Sequence, residues 1–387
     1  MRYPAAMTEG REVWIVAGEP SGDTHAAHLL AALAQHAPHV SFRGYGGPKM
    51  RGAGMEVLHD LASDAIMGVF PVMAALPRIW RLFRRAVKEL RERRPAALVL
   101  VDYPGFNIRL AAKAHAMGIP VVYYISPQVW AWAGWRTKKL AKICDLMLVI
   151  LPFEQEMYRD TGLKTVFVGH PLMDHLRTVR HDRELIAKLR ADLPEHAPVV
   201  GLFPGSRRSV VTSLAPVFAD AARALRARDG TRHARVLVAC AQERFRSIIE
   251  PHLQGLDATV LVGKPYEVME ASDLALTSSG TTTLEIAAHG TPFVLGYRVS
   301  PVMYALGRML VSVPHIGLVN LVAQRSLVPE HVGVRSFANA AADDLQRLWT
   351  DPETREAQVT GLAEVRDKLA SEGSYDRAAA SIVDLLG

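Results

Sequence analysis

Two turns in the second half of the chain combine glycine with hydroxyl side chains directly after an apolar run, in FPGSR (203–207) and SSGTTTLE (278–285). A strand that passes through such a turn into a helix leaves backbone N–H groups free at the helix N-terminus, and these groups favour phosphate. Each turn alone can be explained as a helix cap, whereas two such turns in one domain match one diphosphate nucleotide. The residues concerned are Gly205, Ser206, Arg207, Ser279, Gly280 and Thr281.

Glu285 is the single acid in the apolar run TLEIAAHG that follows the second turn. Its carboxylate suits a vicinal diol such as ribose, because a carboxylate can accept two hydrogen bonds at once. The spacing of Thr282 and Glu285 also fits a capping box, in which the glutamate reaches back to the start of its own helix. The residues alone leave both interpretations open.

Acidic residues follow apolar runs in the first half of the chain. The stretch GEPSGD places Glu19, Ser21 and Asp23 after the first predicted strand. Ser21 or Asp23 would cap the next helix, and the additional acid before a Pro-Ser-Gly turn indicates substrate contact. Asp102 follows the run ALVLV and precedes a Pro-Gly pair, so it can cap a helix or act as a general base.

Segment 66–94 joins an apolar stretch to one that is dominated by arginine and lysine. Apolar residues at helical spacing predict a buried core helix by default. The adjoining basic residues indicate instead a surface that enters a membrane with anionic headgroups. The side chains predicted to make this membrane contact are Val69, Phe70, Val72, Met73, Leu76, Trp80 and Phe83.

The elements that would position these residues form a regular alternation of strands and helices. Continuous apolar, β-branched runs predict strands that are buried on both faces of a parallel sheet. They span 13–18, 42–47, 97–103, 120–126, 146–151 and 165–170 in the first half, and 199–206, 235–241, 258–263, 273–279 and 292–297 in the second. Helical stretches between them predict a doubly wound α/β fold, in which ligands bind beyond the carboxyl ends of the strands.

The 387 residues suit two domains rather than one. The charged stretch 170–198 separates the two sets of strands and is predicted to be a connection with one short helix. We therefore expect Rossmann-like domains over 1–172 and 173–354, facing each other across a cleft. The final helical stretch, 355–387, is expected to return to the first domain.

The composition is that of a globular protein, with 49% hydrophobic residues and a net charge of +6. This modest basic excess suits nucleic acid, anionic lipid or phosphorylated substrates, and separates none of them. The two cysteines lack a metal-ligand spacing, which favours a reducing compartment. The chain shows neither a signal-peptide core nor an apolar run of about 20 residues, so we expect a cytoplasmic location.

Several common motifs are missing. No Gly-Lys-Ser/Thr ending follows a glycine turn, which excludes a Walker A loop. The glycines of GYGGPKMRGAG (44–54) lack the G-x-G-x-x-G spacing, which disfavours NAD. The absence of G-x-S-x-G, H-E-x-x-H and C-x-x-C patterns weakens hydrolase and metal interpretations.

Taken together, these stretches resemble the lipid-A-disaccharide synthase family. The resemblance covers about residues 12–330, and the combination is highly specific although each piece alone is not. The matching stretches are GEPSGD (18–23), GPKM (47–50), MGVFPV (67–72), VDYPGFN (101–107), SPQVWAW (126–132), LPFE (151–154), GHP (169–171), FPGSR (203–207), SSGTTTLE (278–285), GYR (296–298) and LVNL (318–321).

The resemblance implies an inverting glycosyltransferase of the B fold without a covalent intermediate. It would join UDP-2,3-diacylglucosamine to 2,3-diacylglucosamine 1-phosphate, forming a β-1,6-linked disaccharide 1-phosphate and UDP. The implied location is the inner face of the cytoplasmic membrane, with that membrane surface as a partner. The resemblance implies no nucleic acid partner, no cofactor and no metal. It implies a homodimer, because the C-terminal end can exchange between subunits in this family.

The resemblance also implies roles for individual residues. Asp102 would remove the proton from the acceptor 6-hydroxyl, with Glu19 as the rival base. Segment 66–85 would receive acyl chains or lie on the bilayer. The residues implied in substrate or nucleotide binding are Ser21, Asp23, Gly205, Ser206, Arg207, Ser279, Gly280 and Thr281, with Glu285 on the ribose and Asn320 in the UDP pocket.

Three other functions are compatible with parts of the pattern. One is a different UDP-sugar enzyme of the same architecture, such as the muramyl-pathway N-acetylglucosaminyltransferase or a UDP-sugar epimerase. A second is a two-lobed solute-binding protein, which the missing export signal and the paired phosphate turns disfavour. The third is an NAD-dependent dehydrogenase, which the glycine spacing disfavours.

Overall fold

The computed structural model describes residues 11–63, 69–131, 134, 136–311, 313–370 and 373–387. The chain divides into two compact units. Unit 1 spans Met1–Asp174 and Ser371–Gly387, and unit 2 spans His175–Ala370.

Each unit is built on one parallel sheet. The strands of unit 1 are β1 (Glu12–Ala17), β2 (Ser41–Gly46), β3 (Glu56–Asp60), β4 (Ala97–Val101), β5 (Val121–Tyr124), β6 (Leu146–Val149) and β7 (Lys164–Phe167). Those of unit 2 are β8 (Val199–Phe203), β9 (Arg235–Cys240), β10 (Ala258–Val262), β11 (Leu274–Thr277), β12 (Phe293–Arg298) and β13 (Glu330–Gly333).

Helices follow most of the strands. In chain order they are α1 (Pro20–His36), α2 (Pro48–Gly52), α3 (Val69–Arg93), α4 (Pro104–Ala116), α5 (Arg136–Ile143), α6 (Pro152–Tyr158), α7 (Pro171–Thr178), α8 (Arg183–Arg190), α9 (Arg208–Arg226), α10 (Arg246–Ile249), α11 (Pro265–Ala271), α12 (Thr282–His289), α13 (Pro301–Leu310), α14 (Leu318–Ala323), α15 (Ala338–Thr350), α16 (Pro352–Leu369) and α17 (Ser374–Leu386).

Both sheets reverse their strand order at one point. The order is β3-β2-β1-β4-β5-β6-β7 in unit 1 and β10-β9-β8-β11-β12-β13 in unit 2. The direction of progression changes between β1 and β4 in the first sheet and between β8 and β11 in the second. Doubly wound sheets bind their ligands at such switch points, beyond the carboxyl ends of the strands. The predicted α/β fold with two Rossmann-like sheets is confirmed.

Helices cover both faces of the unit 1 sheet. Trp14 and Leu100 pack with side chains of α3 and α4 on one face. Ile15 and Val99 pack with α1 and α17 on the other face. Neighbouring residues of one strand therefore enter different cores, which explains why the central strands are apolar without alternation.

The structure contains two strands that the sequence did not predict, β3 and β13. Both lie at the edge of their sheet, and their side chains are half-buried or exposed. An edge strand does not require apolar residues on both faces, so EVLHD and EHVG carry charged and histidine side chains. A search for continuous apolar runs does not detect strands of this kind.

The connection between the two sets of strands is more helical than expected. Segment 170–198 contains two helices, α7 and α8, rather than a single short one. The side chain of Asp182 caps α8 by accepting a hydrogen bond from the Leu185 N–H at 3.0 Å. This cap depends only on neighbouring residues, because an acid at the N-cap accepts hydrogen bonds from the first free N–H groups of its own helix.

The C-terminal segment 355–387, from which a helix was expected to return to the first domain, contains the greater part of α16 and all of α17. Helix α16 belongs to unit 2, where Leu362 and Val365 are fully buried and Gln358 accepts a hydrogen bond from the Phe293 N–H at 2.7 Å. Helix α17 belongs to unit 1. Helix α16 packs on α12, α14 and α15, whereas α17 packs on α1, so the two helices separate.

Candidate active site

The register of β1 and β4 brings two of the sequence motifs together at the switch point of unit 1. Ala17 pairs with Val101, so GEPSGD and VDYPGFN leave the sheet side by side. The ring of Tyr103 lies directly on Gly18, where an added Cβ atom would come 2.1 Å from Tyr103 Cδ1. The glycine of the first motif is therefore required by the tyrosine of the second.

Asp102 and Tyr103 adopt left-handed backbone conformations, with φ values of 47° and 48°. This conformation is uncommon for residues other than glycine, and it persists where the surroundings impose it. The Asp102 carbonyl accepts hydrogen bonds from Asn107 Nδ2 at 2.8 Å and from the Tyr123 hydroxyl at 2.7 Å. Its N–H donates to the Tyr124 carbonyl at 3.1 Å. Neighbouring elements thus fix the strained turn that carries the Asp102 carboxyl.

The carboxyl group of Asp102 is a weaker acid than usual. Burial and, to a smaller extent, the charge of the Glu19 carboxylate raise its pKa to about 6. A general base is most effective when its pKa lies close to the working pH. Asp102 therefore has the proton affinity of a base at neutral pH, and Glu19 increases that affinity through its charge.

Ser21 and Asp23 differ from each other in surroundings. Ser21 is exposed in the first turn of α1, whereas Asp23 is buried. The Asp23 carboxylate accepts hydrogen bonds from the N–H groups of Gly47 at 2.8 Å and of Lys49 and Met50 at 3.1 Å. It therefore caps α2 rather than its own helix, whose N-cap residue is Glu19. Capping of α1 by Ser21 or Asp23, as expected from the sequence, is wrong.

Glu154, a residue that the sequence motifs did not single out, lies with Asp102 on the wall of a cavity of about 240 Å³ in unit 1. Burial raises the pKa of this carboxyl to about 7. Its oxygens accept hydrogen bonds from the Leu151 N–H at 3.1 Å and from Trp130 Nε1 at 3.2 Å. The motif LPFE could have indicated this residue, since an acid three residues after a helix start is typical of a helix cap.

In unit 2 the register of β8 and β11 brings the two glycine turns together. Phe203 pairs with Thr277, and an added Cβ atom on Gly205 would lie 3.3 Å from Ser278 Oγ. Gly205 and Gly280 have φ values of 110° and 148°. Residues with a Cβ atom rarely adopt these conformations, so glycine is needed at both turns.

The side chains around the two turns are accessible. Ser206 and Arg207 are exposed, as is Thr281, and among the described residues Arg207 has no ion-pair partner. Ser279 is half-buried, and its hydroxyl donates to the Ile316 carbonyl at 3.0 Å. Helices α9 and α12 begin directly after these turns, so N–H groups at two helix N-termini and one cation are arranged as an anion site requires.

Glu285 is held by a tyrosine rather than by a capping box. Helix α12 starts after Thr281, and the Glu285 carboxylate accepts a hydrogen bond from the Tyr266 hydroxyl at 3.0 Å. Burial raises the pKa of Glu285, while the hydrogen bonds from Tyr266 and from the Thr282 side chain act in the opposite direction. The ring of Tyr266 stacks on His289, with ring centroids 5.9 Å apart.

Asn320 is fully buried and uses its amide on a loop of its own unit. Its Nδ2 donates to the Val328 carbonyl at 2.9 Å and to Glu330 Oε1 at 2.7 Å. Its Oδ1 accepts from the N–H groups of Leu327 and Val328, both at 2.8 Å. Asn320 also borders a cavity of about 930 Å³, together with Ser279. Its hydrogen bonds fix the loop that contains Leu327 and Val328 and that forms part of the cavity wall.

The residues predicted to contact a membrane fall into three groups. Leu76 and Trp80 on α3 are 49% and 58% exposed. Phe83 packs instead against the core residue Phe106, with ring centroids 5.7 Å apart. No helix in the described part of the chain is long and apolar enough to span a membrane. The side chains of Val69, Phe70, Val72 and Met73 lie outside the described residues.

Solved structures with the same architecture include a glycosyltransferase and a putative sugar-nucleotide epimerase. The calicheamicin glycosyltransferase CalG4 has a TM-score of 0.59 and 16% identity, covering 98% of this chain and 99% of that chain. A putative UDP-N-acetylglucosamine 2-epimerase from Listeria monocytogenes has a TM-score of 0.62 and 11% identity, covering 97% and 96%. At such identities the likeness shows the fold alone. That fold is the B type of the glycosyltransferases, with two Rossmann-like units.

Comparison of the sequence with known proteins defines the family as well as the fold. The family model described as lipid-A-disaccharide synthetase matches residues 13–383. The lipid-A-disaccharide synthase of Geobacter metallireducens is 40% identical over 379 residues, which cover 97% of this chain and 98% of the relative. The chain belongs to the lipid-A-disaccharide synthetase family and is a glycosyltransferase. The family resemblance and the enzyme class predicted from the sequence are confirmed.

Proposed function

We propose that the chain transfers the sugar of UDP-2,3-diacylglucosamine to the 6-hydroxyl of 2,3-diacylglucosamine 1-phosphate. The products are the β-1,6-linked disaccharide 1-phosphate and UDP. The observation that carries the proposal is the Asp102 carboxyl, whose pKa of about 6 and rigid position suit a general base in a chain of this family. A sugar hydroxyl is a poor nucleophile until a base removes its proton.

In the proposed step the Asp102 carboxylate accepts the proton of the acceptor 6-hydroxyl. The hydroxyl oxygen bonds to C1 of the donor sugar, and the bond between C1 and the β-phosphate oxygen breaks. The electron pair of that bond leaves with UDP, and the configuration at C1 inverts. Glu19 acts through Asp102, because its charge raises the pKa of the Asp102 carboxyl.

Unit 2 supplies the groups for the departing UDP. The turns at Gly205 and Gly280 would direct N–H groups at the diphosphate, and Arg207 would add a charge-assisted contact. Negative charge develops on the diphosphate as the sugar leaves, so donors fixed in advance lower the barrier. Glu285, held by Tyr266, would accept hydrogen bonds from the ribose hydroxyls.

The acylated substrates require access to a membrane. Leu76 and Trp80 on α3 expose apolar surface next to the arginines and lysines of segment 78–94. This combination suits the surface of a bilayer with anionic lipids. We propose a peripheral position on the cytoplasmic membrane, to be tested by sedimentation with phosphatidylglycerol vesicles. Light scattering of the purified chain tests the homodimer that the family resemblance implies.

The decisive experiment incubates the purified chain with both diacylated precursors and follows the products by mass spectrometry. We expect disaccharide 1-phosphate and UDP in equal amounts. UDP-N-acetylglucosamine serves as the control donor, since it shares the nucleotide but lacks the acyl chains. Equal use of the two donors, or epimerisation of the control donor, would contradict the proposal and favour another UDP-sugar enzyme of this fold.

A further inference from the structure

Helix α13 (Pro301–Leu310) exposes large apolar side chains on the surface of unit 2. Its sequence, PVMYALGRML, contains one charged residue, Arg308. Met309 is 82% exposed, Val302 68% and Met303 60%. A surface helix normally turns its apolar side chains towards the core, and an exposed apolar patch marks a binding surface. The core of unit 2 therefore does not explain why this helix is apolar.

One side of α13 lines the cavity of about 930 Å³ in unit 2. Met303 and Gly307 belong to this wall, as does Val311 directly after the helix. Val302 and Met309 point away from it and are not among its lining residues. The other walls contain the apolar or aromatic residues Tyr297, Val299, Pro314, Ile316, Val328 and Val332. Polar residues line the cavity as well, among them Arg308 of α13, His315 and Glu330. The cavity thus offers apolar surface on several walls beside a smaller polar part.

The same cavity reaches the turn that would hold the diphosphate. Ser279 is one of its lining residues, and the Ser279 hydroxyl donates to the carbonyl of Ile316 in the cavity wall at 3.0 Å. A diphosphate at this turn would occupy one end of the cavity, and the apolar side of α13 would lie beyond it. One ligand can therefore place its polar part at the Ser279 turn and its apolar part against α13.

We propose that this cavity and the inner side of α13 bind an acyl chain of the donor sugar. The inference rests on the proposed function, in which the donor carries a diphosphate and acyl chains on one molecule. A membrane surface fits α13 less well, because anionic lipids attract clusters of arginine and lysine and α13 has a single cation. An apolar cavity wall, in contrast, gains affinity with every methylene that it removes from water.

The test measures kcat/KM for a series of donors with progressively shorter acyl chains. In the unaltered chain we expect kcat/KM to fall about fourfold for each methylene removed, over the part of the acyl chain that the cavity holds. The double variant Met303→Ser with Val311→Ser makes two cavity-lining side chains polar. It should lose at least about tenfold in kcat/KM with the longest donor and discriminate little among the shorter ones.

The matched control is Val302→Ser with Met309→Ser, which makes the same kind of change on the outer side of the same helix. This variant should keep the chain-length preference of the unaltered chain. Titration with UDP, which has no acyl chain, should give the same affinity for all three proteins and shows that unit 2 is folded. These side chains are exposed, so neither double variant removes core packing.

Two results would overturn the acyl site. One is an unchanged chain-length preference in the Met303→Ser, Val311→Ser variant; the other is an equal loss in the control variant, which would make α13 a general contact surface for membrane or protein. Failure of the proposed function looks different. In that case the unaltered chain forms no disaccharide from any donor, although UDP still binds.

Discussion

The two units form the carboxyl edges of their sheets from different kinds of residues. In unit 1 the left-handed positions after β4 and β5 are occupied by Asp102, Tyr103 and Ile125, with φ values of 47°, 48° and 63°. In unit 2 the turns after β8 and β11 use Gly205 and Gly280, with φ values of 110° and 148°. A residue with a side chain in this conformation costs of order 1–3 kcal/mol, whereas glycine adopts it freely.

The difference follows from what each edge has to present. Unit 1 accepts strain so that a carboxyl side chain stands at the switch point, with a pKa that burial raises to about 6. Unit 2 removes side chains, so that backbone N–H groups can approach an anion closely. The edge of unit 1 suits the acceptance of a proton, and the edge of unit 2 suits the binding of a phosphate. The proposed glycosyl transfer requires both.

The strongest test of this comparison is Asp102→Asn. The amide keeps the shape of the side chain and cannot accept the proton, so we expect kcat to fall by roughly 10³-fold. The affinity for UDP, measured by calorimetric titration, should stay unchanged because unit 2 is intact. A kcat within a factor of about ten of that of the unaltered chain would show that Asp102 is not the general base.

Gly280→Ala tests the other edge. An alanine at φ 148° forces the turn to move, and we expect the KM for the donor to rise at least about tenfold. Gly255→Ala is the matched control, because Gly255 also has a positive φ value and open space around it but lies outside the candidate site. A similar KM for both variants would show that the Gly280 turn does not bind the donor.

Tyr266→Phe removes one hydrogen bond from Glu285. A hydrogen bond to a charged group contributes about 1.5 kcal/mol, so we expect the KM for the donor to rise roughly tenfold or less, with kcat unchanged. Steady-state kinetics at neutral pH measures both quantities. A fall in kcat without a change in KM would mean that Tyr266 serves the chemical step instead.

Glu19→Gln should give the smallest effect, a shift of the pH profile. Asp102 acts as a base when it is deprotonated, so kcat/KM should fall as the pH drops through about 6. Removing the negative charge of Glu19 lowers the pKa of Asp102, and the acid limb of kcat/KM should move to lower pH. If Glu19 were itself the base, this variant would lose activity at every pH.

The sequence predicted the parts of the site that depend on neighbouring residues. The turns at Gly205 and Gly280 were recognised because a strand, a glycine and a helix follow one another directly. Glu154 was not singled out, because its surroundings come from Trp130 and from burial. The cavity beside α13 was not expected either, since its walls come from segments near 279, 297, 303, 314 and 330.

By itself the sequence determined the strands of the two sheets except β3 and β13, the loops at their carboxyl ends and the family to which the chain belongs. Only the tertiary structure decided which polar residues in those loops remain available. Asp23 is committed to α2 and Asn320 to the loop before β13, while burial raises the pKa of the Asp102 carboxyl to about 6. Hydrogen-bond partners and desolvation come from residues that are distant along the chain, and therefore appear only when the chain is folded.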